Sequence, residues 1–153
     1  MQSSASWNAL ADRPRIGELR ESVTRILQTY GDEVGFVVLF GSMARGDYGP
    51  QSDLDLLIGL RDDRPERFID RLLRFGRLTV GPVDVLVYDR AELERMLGDH
   101  HPLLLEACAD GVVLQDTGAF ACLRDQVEAA RRAGRIRRVK NGWDLVPAGP
   151  TGP

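Results

Sequence analysis

Residues 37–46, VVLFGSMARG, and residues 52–60, SDLDLLIGL, decide the fold of this chain. Val34 to Phe40 is almost continuously apolar and β-branched, which predicts a strand that is covered on both faces. Leu54 to Leu60 has the same character and predicts a second buried strand. Because a loop of about a dozen residues joins them, we expect the two strands to pair antiparallel, with the end of the first beside the start of the second.

A third strand is predicted downstream, after a helix. Pro65 can open this helix, and Gly76 can close it. Val83 to Tyr88 then has the apolar, β-branched character of a strand. A helix between two strands makes a crossover, in which the strands run parallel and begin on the same side of the sheet. The sequence therefore predicts an α/β (α+β) fold, with a mixed β-sheet flanked by α-helices.

The helical spacing of apolar residues predicts further helices around this sheet. The remaining predicted elements are a helix from Pro14 to Gly31, helices over Ala91–Leu97 and Leu103–Ala109, an edge strand over Val112–Leu114, and a last helix from Phe120 that becomes basic toward Gly134. We expect a single domain over residues 14–143. It is preceded by a flexible segment, residues 1–13, and followed by a flexible tail, residues 144–153.

Composition and charge exclude several classes of protein. The 153-residue chain has 43% hydrophobic and 28% charged residues, as ordinary globular domains do, and no stretch of it suits a membrane span. Its net charge of −3 argues against a dedicated duplex-binding protein, because counterion release requires many basic side chains. The first residues lack the apolar core of a secretory signal, so we expect a cytoplasmic protein.

Features late in the chain have weaker functional interpretations. The basic stretch from Arg131 to Lys140 is interpreted as a solvated helix end, with a contact to an anion or a partner as the alternative. Trp143 is expected to fold back onto the domain or onto a partner. His100 and His101 precede Pro102, where helix capping or exposure is the expected role.

Three carboxylates are predicted to converge at one end of the sheet. Asp53 and Asp55 stand two residues apart at the start of a strand, so their side chains project from the same face. The crossover brings the start of the third strand, with Asp84, beside them. As the alternative, Asp84 is an ordinary polar residue at the start of a strand.

Such a cluster predicts a divalent metal site. Like charges this close raise one another's pKa unless a cation lies between them. Mg²⁺ is the expected cation, because it prefers oxygen ligands. Two Mg²⁺ ions about 3.5–4 Å apart could stabilise the attacking and leaving oxygens of a displacement at phosphorus.

An anion-binding turn is predicted at the end of the first strand. Gly41 lets the backbone approach a ligand closely, and the amides there could hold phosphate groups together with the Ser42 hydroxyl. Arg45 is near enough in sequence to add a cationic donor. The sequence therefore predicts phosphoryl-transfer chemistry, with a nucleotide bound by Gly41, Ser42 and Arg45.

The Gly41-Ser42 pair, ten further residues and then Asp53-Leu54-Asp55 resemble the DNA polymerase beta-like nucleotidyltransferase superfamily. Within it, the chain is similar to the minimal nucleotidyltransferases, the MntA-like antitoxin family, over about residues 16–114. The resemblance implies an enzyme that uses ATP or another nucleoside triphosphate. It also implies that Asp53 and Asp55 are ligands to both metals. Asp84 would be the third carboxylate ligand and a proton acceptor, and Gly41 and Ser42 would hold the triphosphate.

The resemblance also implies an acceptor. Minimal nucleotidyltransferases are commonly antitoxins that modify a tyrosine of a HEPN-type toxin RNase. We therefore expect transfer of AMP from ATP to a hydroxyl of such a partner. Transfer to a small molecule, as in aminoglycoside nucleotidyltransferases, is one alternative, and transfer to nucleic acid is another. A non-catalytic module that only binds a toxin is the alternative from a different functional class.

Overall fold

The fold combines a central sheet, helices on both of its faces and a small C-terminal hairpin. The computed structural model describes residues 3–140 and 142–146 of the chain. In chain order, the elements are α1 (Ser4–Ala9), α2 (Ile16–Tyr30), β1 (Val34–Phe40), α3 (Ser42–Arg45), β2 (Leu54–Leu60), α4 (Phe68–Gly76), β3 (Val83–Tyr88), α5 (Arg90–Gly98), α6 (Pro102–Asp110), β4 (Val112–Asp116), α7 (Ala119–Arg132), β5 (Ile136–Val139) and β6 (Gly142–Leu145).

The central sheet has four strands in the order β3-β2-β1-β4. β1 pairs antiparallel with both β2 and β4, whereas β2 and β3 run parallel. The predicted mixed sheet and the predicted strand directions are therefore confirmed. The predicted edge strand is also confirmed, because β4 lies at one edge of the sheet and extends two residues beyond its predicted end, to Asp116.

Helices cover both faces of the sheet because its central strands are apolar on both sides. All seven residues of β1 are buried. On one face, α2 and α4 pack through Leu19, Val23, Ile26 and Phe75. On the other face, α5, α6 and α7 pack through Leu93, Leu104, Leu105, Phe120 and Val127. The two cores hold the ends of β1 and β2 in fixed positions.

A buried arginine fixes the far end of β3 to the helices beside it. Arg71 of α4 is only 1% exposed. Its guanidinium donates to the Val87 carbonyl oxygen at 3.2 Å and to Glu92, and it lies 3.4 Å from Asp89. Asp89 and Glu92 also form the capping box that begins α5. Arg71 therefore connects α4, β3 and α5 at one point.

The start of the chain belongs to the core, so the prediction of a flexible segment over residues 1–13 is wrong for the described residues. Residues 4–9 form α1, which buries Trp7, and Leu10 follows it into the core. The Ser3 N–H donates to the Leu114 carbonyl oxygen of β4 at 2.9 Å. The prediction failed because two apolar side chains on a six-residue helix give too short a pattern to detect.

The end of the described chain is a β-hairpin, which corrects two further predictions. Strand β5 lies within the basic stretch that was expected to be a solvated helix end, and β6 extends past the predicted start of the tail. The Trp143 ring lies 5.6 Å from the Arg131 guanidinium and 5.5 Å from that of Arg138. Trp143 also packs on the second core, so its predicted return to the domain is confirmed. Residues 147–153 of the predicted tail lie outside the described residues.

Three smaller findings complete the fold. Helix α4 begins at Phe68 rather than at the predicted Pro65, because Arg67 has an extended backbone. The Nδ1 atom of His101 accepts a hydrogen bond from the Leu103 N–H, which confirms the predicted helix cap. Within residues 3–140 and 142–146, no helix combines the length and the apolar character that crossing a membrane requires.

Candidate active site

The sheet brings the predicted carboxylates to one end of the molecule. Asp55 pairs in register with Asp84 across the parallel strands β2 and β3, and with Phe40 at the end of β1. The Leu54 N–H donates to the Pro82 carbonyl oxygen at 3.0 Å, which ties the starts of β2 and β3 together. Asp53 directly precedes β2. The structure therefore places Asp53, Asp55 and Asp84 at neighbouring strand starts.

The three carboxylates differ in exposure, and this difference affects Asp55. Asp53 and Asp84 are exposed, whereas Asp55 is partly buried. Burial, followed by the negative charges of Asp84, Asp53 and Glu106, raises the pKa of Asp55 from its ordinary value near 3.8 to about 6. Asp55 therefore lies in a region of concentrated negative charge, which a bound cation would stabilise.

The three carboxylates have the chemistry that Mg²⁺ requires, although their side chains are not grouped around a common point. Carboxylate oxygens are the ligands that Mg²⁺ prefers, and Mg²⁺ usually retains several waters. Among the described residues, no three His, Cys, Asp or Glu side chains are grouped closely enough to hold a metal ion. Mutually repelling carboxylates are expected to point apart without a cation, and rotamer changes could bring them together.

The Gly41-Ser42 turn lies directly beside Asp55. Gly41 has φ +79°, a backbone conformation that residues other than glycine rarely adopt. A Cβ atom at Gly41 would lie 3.1 Å from Asp55 Oδ2. The Ala44 and Arg45 N–H groups both donate to the Gly41 carbonyl oxygen at 3.1 Å, and Met43 is fully buried below the turn. The turn is thus held in place by its own hydrogen bonds and by the core.

Arg45 lies near this turn, but its guanidinium already has partners. Its Nε atom donates to both carboxylate oxygens of Asp47, at 3.3 and 3.1 Å, and its Nη1 atom donates to Glu106 of α6. The described contacts of the Arg45 guanidinium are therefore with these two carboxylates. Its predicted role as a hydrogen-bond donor to phosphate groups stays a prediction.

Glu106 is the site residue that the sequence interpretation missed. It contacts Arg45 and contributes to the negative potential at Asp55. Its neighbours on α6 are buried, namely Leu104, Leu105, Ala107 and Cys108, so Glu106 is a charged residue within an apolar helix segment. That isolated charge is the signal in the sequence that could have identified it.

A cavity of the described structure lies elsewhere. It measures about 830 Å³ and runs between α5 and α7, over a floor that includes Phe36 and Leu60. None of the predicted site residues lines it. The candidate site at the strand starts is therefore separate from this cavity.

Comparison with known proteins agrees with this geometry. The family model described as "Nucleotidyltransferase domain" matches residues 18–107, the span that contains the strand-start carboxylates, the Gly41-Ser42 turn and Glu106. A protein named "Putative protein adenylyltransferase MJ0141", from Methanocaldococcus jannaschii, is 43% identical over 47 residues. That match covers 31% of this chain and 44% of the relative, which is less than half of the relative's length.

Solved structures share the fold. A "putative nucleotidyltransferase" from Sulfolobus solfataricus superposes with a TM-score of 0.53 at 25% identity, over 75% of this chain and 91% of that one. A "toxin-antitoxin with AMP-PNP" gives a TM-score of 0.51 at 14% identity, over 74% and 87% of the two chains. A "toxin-antitoxin MntA-HpeT" mutant gives 0.50 at 14% identity, over 76% and 88%. The last two likenesses concern the fold alone.

The strand-start carboxylates, the glycine turn beside them and the family match over residues 18–107 agree with one another. The chain belongs to the nucleotidyltransferase domain family.

Proposed function

We propose that the protein is a Mg²⁺-dependent nucleotidyltransferase that transfers AMP from ATP to a hydroxyl group of a partner protein. The observation that carries this proposal is the in-register pairing of Asp55 with Asp84 beside the Gly41-Ser42 turn. This arrangement supports the proposal, because carboxylate oxygens suit a cation and a backbone turn beside them suits phosphate groups.

The proposed roles follow from the positions of the residues. Gly41 and Ser42 bind the triphosphate, and Arg45 adds a cationic donor. Asp53, Asp55 and Asp84 would hold two Mg²⁺ ions, which when bound supply positive charge to the attacking and leaving oxygens.

The transfer step is a displacement at the α-phosphorus of the triphosphate. The acceptor hydroxyl oxygen forms a bond to the α-phosphorus, while the bond from this phosphorus to the bridging oxygen of pyrophosphate breaks. Pyrophosphate leaves with the bonding electron pair. The acceptor proton passes to a carboxylate oxygen of Asp84, which is exposed and can therefore be reached by an incoming hydroxyl group.

A protein acceptor is supported by the relatives. The Methanocaldococcus jannaschii relative carries the name of a protein adenylyltransferase, and two structures of the same fold are described as toxin-antitoxin structures. The resemblance to minimal nucleotidyltransferases favours a HEPN-type toxin as the partner and an antitoxin role for this chain. The net charge of −3 argues against nucleic acid as the acceptor.

The test follows a labelled α-phosphate. The protein is incubated with Mg²⁺, each of the four α-labelled nucleoside triphosphates in turn and the purified product of the neighbouring gene. We expect label from ATP to enter that protein, and we expect chelation or the double variant Asp53→Ala/Asp55→Ala to abolish labelling. Label in a small molecule or in nucleic acid would contradict the protein acceptor. If the double variant transfers no label but suppresses the toxin as well as the wild type does, a non-catalytic binding module would be favoured.

A further inference from the structure

The guanidinium of Arg45 is held by two carboxylates. Asp47 accepts from its Nε atom, and Glu106 accepts from its Nη1 atom. The side chains of Arg45 and Glu106 are 32% and 35% exposed, so water weakens the attraction between their charges only in part. Arg45 is the last residue of α3, and Ser42 is the first, so one helical turn separates the arginine from the turn.

The position of Glu106 depends on how α6 packs. Leu104, Leu105, Ala107 and Cys108 bury the apolar face of this helix on the sheet, and α6 begins at a defined cap on His101. Glu106 cannot follow Arg45 far, because the helix that carries it is anchored. The carboxylate therefore acts as a fixed acceptor for a flexible arginine side chain.

We propose that Glu106 is a positioning residue that holds the guanidinium of Arg45 in an ion pair until a triphosphate bound at the Gly41-Ser42 turn takes it over. This inference rests on the proposed function, since it assumes that the turn binds a triphosphate.

The charges explain the exchange. Arg45, Asp47 and Glu106 carry +1, −1 and −1, so the group has a net charge of −1 and does not attract an anion. A triphosphate bears more negative charge than a carboxylate, and arginine binds phosphate oxygens in a bidentate manner. The bound triphosphate can thus outcompete Glu106 for Arg45. Glu106 then lowers triphosphate affinity by the free energy needed to break its own pair.

Binding of inorganic tripolyphosphate in the presence of Mg²⁺ tests this exchange without depending on the base or the acceptor. We expect Glu106→Gln to tighten binding by about two- to fivefold, the range typical of a partly exposed ion pair. Glu106→Asp keeps the charge but shortens the side chain, so it is expected to tighten binding in the same direction. Glu94→Gln is the matched control, since Glu94 pairs with Arg90 on the exposed surface of α5 and should leave the affinity unchanged.

A double-mutant cycle separates positioning from plain charge repulsion. In an Arg45→Ala background, Glu106→Gln should no longer tighten binding, because no arginine remains to be released. If Glu106→Gln gives the same gain with and without Arg45, Glu106 acts only by repulsion and the proposal is overturned. A wild-type affinity for Glu106→Gln, or a weaker one, overturns it as well.

Kinetics provide the second readout. With ATP as the donor, Glu106→Gln should lower KM and leave kcat no higher, whereas a purely structural defect would lower kcat or the unfolding midpoint. The two proposals fail separately. If the wild type binds tripolyphosphate but labels no acceptor, the proposed function fails and the exchange stands on the binding data. If the wild type labels its acceptor but binds no tripolyphosphate, the exchange fails and the proposed function stands on the labelling data.

Discussion

Asp55 on β2 and Asp84 on β3 occupy paired positions of two parallel strands, and the charge of Asp84 helps to raise the pKa of Asp55. Burial is the larger cause of that raised pKa. The site therefore stores unfavourable electrostatic energy whenever Asp55 is ionised and no cation is bound. This cost has measurable consequences for stability.

Asp55→Asn is expected to stabilise the metal-free protein. An acid whose pKa rises from about 3.8 to about 6 on folding binds more protons in the folded state, so its contribution to stability falls as pH rises through that interval. In chelator, the variant should therefore exceed the wild type by about 1 kcal/mol above pH 7, after allowance for solvent screening, and by little at pH 4. Urea unfolding at the two pH values measures the difference. An equal gain at both pH values would contradict this assignment.

Asp84→Asn is expected to lower kcat by about 10²- to 10⁴-fold with a small change in KM for ATP. The physical reason is that, in the proposed transfer step, the Asp84 carboxylate takes the proton from the hydroxyl group of the acceptor. Because Asp84 is exposed, the free energy of unfolding should stay within about 0.5 kcal/mol of the wild type. Asp62→Asn, at an exposed loop residue outside the site, serves as the control for activity. Full activity of the Asp84→Asn protein would remove Asp84 from the mechanism.

Gly41→Ala should lose both stability and activity, whereas Gly118→Ala should lose stability alone. Both glycines have positive φ, +79° and +112°, where a Cβ atom costs about 1–2 kcal/mol. At Gly41 the added atom also lies 3.1 Å from Asp55 Oδ2, while at Gly118 it meets nothing within 4 Å. The two variants should therefore unfold at similar urea concentrations but differ at least tenfold in labelling rate. Equal labelling rates would show that the turn tolerates a side chain.

The order of the strands and the positions of the three carboxylates could be predicted from the sequence. Both depend on local patterns and on the rule that governs crossover connections. Apolar runs marked β1 to β3, and a crossover fixes where the start of β3 lies relative to β2. Glu106 could not be placed, because its distance from Asp55 depends on how α6 packs against the sheet. The β5–β6 hairpin was missed because its four-residue strands are too short, and too charged at Arg137 and Arg138, to show a strand pattern.

Trp7→Ala should destabilise the protein by about 3–5 kcal/mol, since the indole ring is 4% exposed within the first core. Trp143→Ala provides the comparison, because Trp143 is only partly buried at the edge of the second core and should cost less than half as much. Urea unfolding of both variants measures these costs. A Trp7→Ala protein as stable as the wild type would restore the view that the first residues are flexible.

Arg71→Ala is expected to cost about 3 kcal/mol, because Asp89 and Glu92 would lose their common cationic partner in a buried position. Arg90→Ala is the matched control. The Arg90–Glu94 pair is 69% and 65% exposed, so its loss should change the free energy of unfolding by less than about 0.5 kcal/mol. Similar costs for the two variants would show that the buried pair adds no more than the surface one.

The position of β3 at the edge of the sheet has a consequence for the choice of acceptor. No strand in the described part of the chain pairs with the outer side of β3, so Asp84 borders open space. A hydroxyl group on a large folded molecule can approach from this side without unfolding or entering a cleft. Under the proposed function, a large acceptor could therefore reach Asp84 from this side, and the surface around this edge would determine which acceptor is used. Exchanging surface residues around β3 would then be expected to change the acceptor without altering the transfer step.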